Sequence, residues 1–192
     1  FFIITSERPR GCTYFIWSAA SDVYKGPAMG GRIEENGLDL VIHPSDLEAV
    51  DITVPGDISS AAFWIVAGLC HPNARILVCG VGLNPSRTGI IDVLMEMGAG
   101  NGLKLVDERT EGGEPVADIL VTSTDLHGVE IGGDMIPRML DEVPILAVAA
   151  CFATGDTVIR DAAELRVKET DRIDTTVTEM TRLGANIESW ED

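Results

Sequence analysis

The sequence has 192 residues, with 14 basic and 31 acidic side chains, and its net charge is −17. Proteins that bind nucleic acids or anionic membranes need clustered Lys and Arg, so this balance argues against both kinds of partner. Apolar residues make up 45% of the chain, which is typical of a globular protein with a substantial core.

The start of the chain carries little information about fold. The first residue is Phe rather than Met, so we expect a partial chain. Residues 1–28 match no pattern that we can assign. Two explanations of this segment stay open. It is either a genuinely divergent segment, or a stretch that is read in a shifted frame or joined artificially. The first clear element is a strand predicted over Leu38–Ile42.

A helix, a strand and a second helix then follow in order. The first helix, predicted over Ser59–Leu69, is rich in small and apolar residues, and a strand is predicted over Arg75–Cys79. The second helix is amphipathic. Its apolar residues recur at three-residue steps before a terminating glycine: Ile91, Leu94, Met97 and Gly98.

The same order returns about 85 residues later, which indicates an internal duplication. An apolar helix is predicted over Val143–Ala153 with Gly155 as its C-cap, followed by a strand over Thr157–Arg160. The second amphipathic helix then carries one apolar stripe and ends at a glycine: Ile173, Val177, Met180, Leu183 and Gly184.

Two further strands, Ile119–Thr122 and Gly128–Ile131, are predicted between the helices. Each repeat therefore reads as a β-α-β-α-β-β unit of an α/β protein. The first helix of each unit is apolar nearly all round and should be buried, whereas the second should lie nearer solvent. No His or Cys spacing is typical of a metal site. The apolar runs are shorter than the roughly 20 residues that span a bilayer, and we expect a cytoplasmic protein.

The run Arg166–Arg172, Arg-Val-Lys-Glu-Thr-Asp-Arg, lies directly before the last amphipathic helix. The N-terminus of a helix favours anions, because its first N–H groups lack partners and its dipole is positive there. The run can therefore form a phosphate or carboxylate pocket in which Glu169 carries a proton. A solvated, salt-bridged helix start fits the same residues.

This run resembles a signature of the 5-enolpyruvylshikimate-3-phosphate (EPSP) synthase family. Two other segments resemble the same family. Val54–Phe63 is similar to its crossover between two domains, and Leu140–Pro144 is similar to the segment with its catalytic aspartate. The likeness covers about residues 29–192 and three motifs in the family's order.

The resemblance implies an incomplete enolpyruvyl transferase fold, an inside-out α/β barrel made of repeated β-α-β-α-β-β units. Residues 1–52 would be the tail of one domain, with 1–28 unassigned. Residues 53–192 would be two repeat units of the second domain.

The resemblance also implies a reaction without a metal or an organic cofactor. Its substrates would be shikimate 3-phosphate and phosphoenolpyruvate. Asp141 would be the base at the 5-hydroxyl, and Glu169 would move the proton at C3. Lys168 would contact the attacked hydroxyl, and Arg172 would clamp the donor's carboxylate. From the residues alone, Asp141 reads instead as a helix N-cap, since Pro144 follows in the first turn.

Two alternatives stay open at this point. One is a relative of UDP-N-acetylglucosamine enolpyruvyl transferase, and the other is a non-catalytic α/β module that binds anions. Several cations of the EPSP synthase family have no counterpart in this sequence, so we expect the partial chain alone to be nearly inactive. Core surface exposed at the cut ends could also drive self-association.

Overall fold

The computed structural model describes residues 14–16, 29–36, 39–51 and 53–190. The chain forms two compact units, Phe1–Ile52 and Thr53–Asp192. Most of the unassigned segment 1–28 lies outside the described residues. The assignment of the two units to two enolpyruvyl transferase domains stays a prediction.

The first unit contains a three-stranded antiparallel sheet in the order β1-β3-β2. Its strands are β1 (Tyr14–Ile16), β2 (Arg32–Asn36) and β3 (Asp39–His43). The predicted strand at 38–42 is confirmed, with β3 lying one residue later. Ser45 fixes the open end of the β2-β3 pair, because its hydroxyl accepts from the Arg32 amide at 3.0 Å.

The second unit begins with helix α1 (Ile58–Cys70), which confirms the predicted helix. Asp57 is its N-cap, and the carboxylate accepts from the amides of Ser59 and Ser60 at 3.2 and 2.9 Å. Small residues let the helix approach the neighbouring sheet closely. A Cβ at Gly68 would lie 2.9 Å from the side chain of Val121.

An antiparallel sheet in the order β4-β6-β5 lies against α1. Strand β4 (Arg75–Gly82) confirms and extends the predicted strand. Strand β5 (Leu103–Glu111) is not among the predicted elements, and β6 (Glu114–Thr122) is longer than expected. A bulge in β5, with Asp107 at φ 51°, disrupts the alternation of apolar and polar residues that marks a strand.

Helix α2 (Gly89–Glu96) connects β4 to β5. The second repeat contains β7 (Glu130–Ile131), α3 (Val143–Phe152), β8 (Val158–Ile159) and α4 (Arg172–Arg182). Strands β7 and β8 are parallel, and α3 is the crossover between them. In the same way α1 joins Gly56 to Val81, which form a parallel bridge. A parallel pair joined through a helix thus occurs in both halves of this unit, and the assignment of residues 53–192 to two repeat units stays a prediction.

Helices α1 and α3 pack against each other, and the shared core extends to α2 and to the sheet. Its largest fully buried side chains come from both repeats and include Ile65, Leu69, Leu94, Met97, Leu146 and Leu165. The two repeats therefore share one hydrophobic core, which fixes the loops at the ends of their helices relative to one another.

The burial of the helices differs in part from expectation. Helix α4 has no buried residue, as predicted for the second helix of a repeat. The same prediction is wrong for α2, because five of its eight residues are buried, including Ile90 and Leu94. The prediction that α1 and α3 are buried all round is wrong, since Phe63, Trp64 and Phe152 are about 60% exposed.

Gly155 is not the C-cap of α3, because the helix ends at Ala153 in an extended conformation. The end of α4 at Gly184 is confirmed by its φ of 94° and a bond from Ala185 N to Met180 O.

No helix among the described residues is both long enough and apolar enough to cross a bilayer. The same residues contain no group of three or more His, Cys, Asp or Glu side chains arranged to hold a metal ion.

Gly128, just before β7, packs against the backbone of the loop between α3 and β8, and this contact can be tested. Its amide donates to Thr154 O at 2.9 Å, and a Cβ there would overlap the backbone of Asp156. We expect Gly128→Ala to lower the free energy of unfolding by about 2–3 kcal/mol, because backbone must move to admit the methyl group. Urea denaturation measures this. Gly100→Ala is the control, since no atom lies within 4 Å of its Cβ. Equal stability of the two variants would contradict the packing described.

Candidate active site

Asp141 lies between two arginines that come from different repeats. Arg172 Nη1 donates to Asp141 Oδ1 at 2.9 Å, and Arg87 Nη2 donates to Asp141 Oδ2 at 3.4 Å. Asp141 belongs to a 3₁₀ turn, Leu140–Glu142, that precedes α3. The interpretation of Asp141 as a helix N-cap is wrong, because the turn places Glu142 at the cap position and Asp141 faces the arginines.

Arg172 also holds the second carboxylate that the sequence singled out. Its Nη2 donates to Glu169 Oε2 at 3.0 Å, so one guanidinium joins Asp141 to Glu169. A backbone hydrogen bond, and then Arg172, lower the pKa of Glu169 below its ordinary value. A planar guanidinium matches carboxylates and phosphates equally well. An anionic ligand could therefore take the place of either protein carboxylate on Arg172.

The rest of the charged run lies at the start of α4, as predicted. Asp171 is the N-cap, and its carboxylate accepts from the Asp174 amide at 2.9 Å. Arg166 forms an ion pair with Asp171 at 3.4 Å. Lys168 is paired with Glu164 at 2.9 Å rather than with Asp141 or Glu169. The structure thus brings Asp141, Glu169 and Arg172 together, and gives Lys168 a different partner.

Glu142, next to Asp141, is buried and is only 1% exposed. Its Oε1 accepts a short hydrogen bond from the Ser59 hydroxyl. Burial raises the pKa of Glu142, although Ser59 and Arg87 oppose the shift. The local sequence pattern gives no sign of this contact, because Ser59 lies 83 residues away from Glu142.

Arg87 was missed as well. It lies in a loop before α2 that is held in a fixed shape. Asn84 Oδ1 accepts from the Ser86 amide at 3.1 Å, and Arg87 N donates to Asn84 O at 2.8 Å. Arg138 donates to Pro85 O at 2.9 Å from outside the loop. The internal duplication was the available signal, since a shift of about 85 residues brings Arg87 level with Arg172.

The fold and the site define the class of this protein. It is an α/β protein built from repeats, and a cluster of acidic and basic side chains lies where the loops of two repeats meet. A solved structure of EPSP synthase from Acinetobacter baumannii matches with a TM-score of 0.76 and 40% identity. The match covers 83% of this chain and 36% of that one. A second structure of EPSP synthase from the same organism matches with a TM-score of 0.75 and 37% identity, over 84% and 36% of the two chains. The enolpyruvyl transferase fold predicted from the sequence is thereby confirmed.

The family model described as EPSP synthase (3-phosphoshikimate 1-carboxyvinyltransferase) matches residues 27–192. This chain belongs to that family. Two curated relatives named 3-phosphoshikimate 1-carboxyvinyltransferase are similar over 164 residues. The one from Geobacillus kaustophilus is 55% identical and the one from Bacillus pumilus 57% identical. Each match covers 85% of this chain, which spans only 38% of the length of either relative.

The raised pKa of Glu142 predicts a specific dependence of stability on pH. In the folded chain Glu142 holds its proton more tightly than in the unfolded chain. Its contribution to stability therefore falls as pH rises from the ordinary glutamate value through the raised folded value, and is constant above that. Gln cannot lose a proton, so Glu142→Gln removes this component. We expect the variant to gain stability relative to the wild type as pH rises.

Denaturant unfolding of both proteins at a series of pH values measures this difference. Glu179→Gln, which changes an exposed carboxylate on α4, is the matched control. A wild-type-minus-variant difference that is constant with pH would show that Glu142 does not titrate differently in the two states.

Proposed function

We propose that this chain supplies part of an enzyme that transfers the enolpyruvyl group of phosphoenolpyruvate to the 5-hydroxyl of shikimate 3-phosphate. The single observation that supports it most is the contact of one arginine, Arg172, with both candidate proton-transfer groups. The family membership gives that cluster a reaction that needs two proton transfers and several cations. A cytoplasmic location is part of the proposal.

In this reaction Asp141 takes the proton of the 5-hydroxyl while the hydroxyl oxygen bonds to C2 of the donor. Glu169 gives a proton to C3, which produces a tetrahedral intermediate. The intermediate then returns a proton from C3, and the bond between C2 and the phosphate oxygen breaks to release phosphate. Positioned acid–base groups of this kind contribute about 10²–10⁴-fold each to the rate.

Arg172 explains how the two carboxylates become available. Arg172 is ion-paired with both, and its single positive charge is shared between them. A backbone hydrogen bond, and then Arg172, keep the pKa of Glu169 low, which opposes its role as an acid. When the donor's carboxylate binds Arg172, that ion pair is weakened, and Glu169 holds a proton more readily beside a further negative charge. We propose a similar exchange for Lys168. Its ammonium group would separate from Glu164 and contact the substrate hydroxyl.

Self-association of the chain is a further part of the proposal. Phe63 and Trp64 on α1 and Phe152 at the end of α3 are exposed large apolar side chains, and burying them would favour contact with a second apolar surface.

Substrate binding by this chain tests the role of Arg172. We expect isothermal titration to show weak binding of phosphoenolpyruvate, with a Kd of about 1 mM. Arg172→Lys should weaken it at least about tenfold, because an ammonium group cannot form the two parallel bonds of a guanidinium. Arg182→Lys on the same helix is the matched control, since Arg182 pairs only with Glu179 in the described part of the chain. Equal affinities of the two variants would refute the assignment of Arg172.

Turnover by the isolated chain is a separate prediction. Because it spans 38% of its curated relatives, and the family's further cations are absent from it, we expect phosphate release from both substrates near the buffer background. A coupled phosphate assay measures this, with the Geobacillus kaustophilus relative as the positive control. Robust turnover by the chain alone would show that this segment carries a complete site.

A further inference from the structure

Three residues form a hydrogen-bonded chain that leads from the core to Asp141, and no step of the proposed reaction uses them. Arg87 Nη2 donates both to Asp141 Oδ2 at 3.4 Å and to the Ser59 hydroxyl at 3.1 Å. Ser59 in turn donates to the buried Glu142. We call Glu142, Ser59 and Arg87 the buried relay.

The direction of these bonds is fixed by chemistry. A serine hydroxyl has one proton and two lone pairs, whereas a guanidinium only donates. Because Ser59 gives its proton to Glu142, its lone pairs face Arg87. Glu142 therefore orients Ser59, and Ser59 orients the nitrogen of Arg87 that also contacts Asp141. Glu142 Oε1 lies 3.9 Å from that nitrogen and adds an electrostatic attraction.

We infer that Glu142, acting through Ser59, holds Arg87 against Asp141 and that Arg87 keeps Asp141 oriented when Arg172 turns to a bound anion. Glu142, Ser59 and Arg87 are then positioning residues, and this inference rests on the proposed roles of Asp141 and Arg172. Without the relay, Asp141 would lose its fixed orientation at the moment when it acts as a base.

The supports around the relay agree with this role. Arg138 fixes the loop of Arg87 by donating to Pro85 O and to Asp92 at 2.6 Å. Glu142 cannot move easily, since it is enclosed by the core that the two repeats share. Burying a carboxylate is unfavourable unless it is well paired. In the described part of the chain, Glu142 Oε2 has no hydrogen-bond partner among the protein atoms.

NMR of this chain tests the inference without any substrate, through the side-chain Nε–H signal of Arg87 and the carboxyl carbon signal of Asp141. Neither residue is altered in Ser59→Ala or Glu142→Gln. We expect both variants to move the two signals at least about threefold more than Ser60→Ala does. Ser60 is the matched control, because its hydroxyl bonds to Asp57 on the same helical turn. Ser59→Thr, which keeps a hydroxyl, should restore the wild-type positions.

A second comparison tests whether Arg87 takes over from Arg172. In an Arg172→Met background, Arg87 is the remaining arginine on Asp141 in the described part of the chain, so Ser59→Ala should shift the Asp141 signal about twice as far as in the wild type. The inference is overturned if Ser59→Ala has the same effect in both backgrounds, or if its effect matches that of Ser60→Ala while the amide spectrum shows an intact fold. If Glu142→Gln fails to fold, the Ser59 variants still decide the question.

These outcomes are distinct from those of the substrate titration. If the Arg87 and Asp141 signals respond to the Ser59 and Glu142 variants but phosphoenolpyruvate does not bind, the relay is supported and the proposed function is refuted. If phosphoenolpyruvate binding depends on Arg172 but the two signals do not respond to those variants, the function is supported and the relay is refuted.

Discussion

The shared guanidinium of Arg172 is the interaction on which the site depends. It holds Asp141 from the turn before α3 and Glu169 from the loop before α4, and these two segments share no backbone hydrogen bond. The chain has a net charge of −17, yet the proposed function requires an anion to approach this point. Because salt screens distant charges beyond about 10 Å, the arginines next to a ligand decide whether it binds. The site is therefore defined by local charge rather than by the charge of the whole chain.

The internal duplication explains why two arginines meet at one carboxylate. Arg87 lies just before α2 in the first repeat, and Arg172 is the first residue of α4 in the second. Both loops follow a strand that is paired in parallel with the segment before the preceding helix. Packing of α1 against α3 then fixes the two loops relative to one another. A site of this kind needs both repeats, because neither repeat alone carries both arginines.

The sequence predicts those features that depend on neighbouring residues. The helices follow from apolar periodicity and their glycine ends, and the resemblance identified Asp141, Glu169 and Arg172 as a group. Strand β5 was missed because its bulge at Asp107 breaks the two-residue period. Arg87 and Glu142 were missed because their partners lie 54 and 83 residues away, and local pattern carries no information on such contacts. Lys168 has the predicted position in the chain but pairs with Glu164.

Asp141 and Glu142 show how adjacent, chemically similar residues acquire different properties. A 3₁₀ turn rotates each residue by about 120°, so consecutive side chains point in well-separated directions. One carboxylate therefore faces two arginines at the surface, and the next enters the core, where burial raises its pKa. Ser59 lies between them and joins the buried carboxyl to the arginine that contacts the exposed one. The turn thus places the side chains of Asp141 and Glu142 in different environments. The packing of α1 against α3 determines which of the two is exposed to solvent.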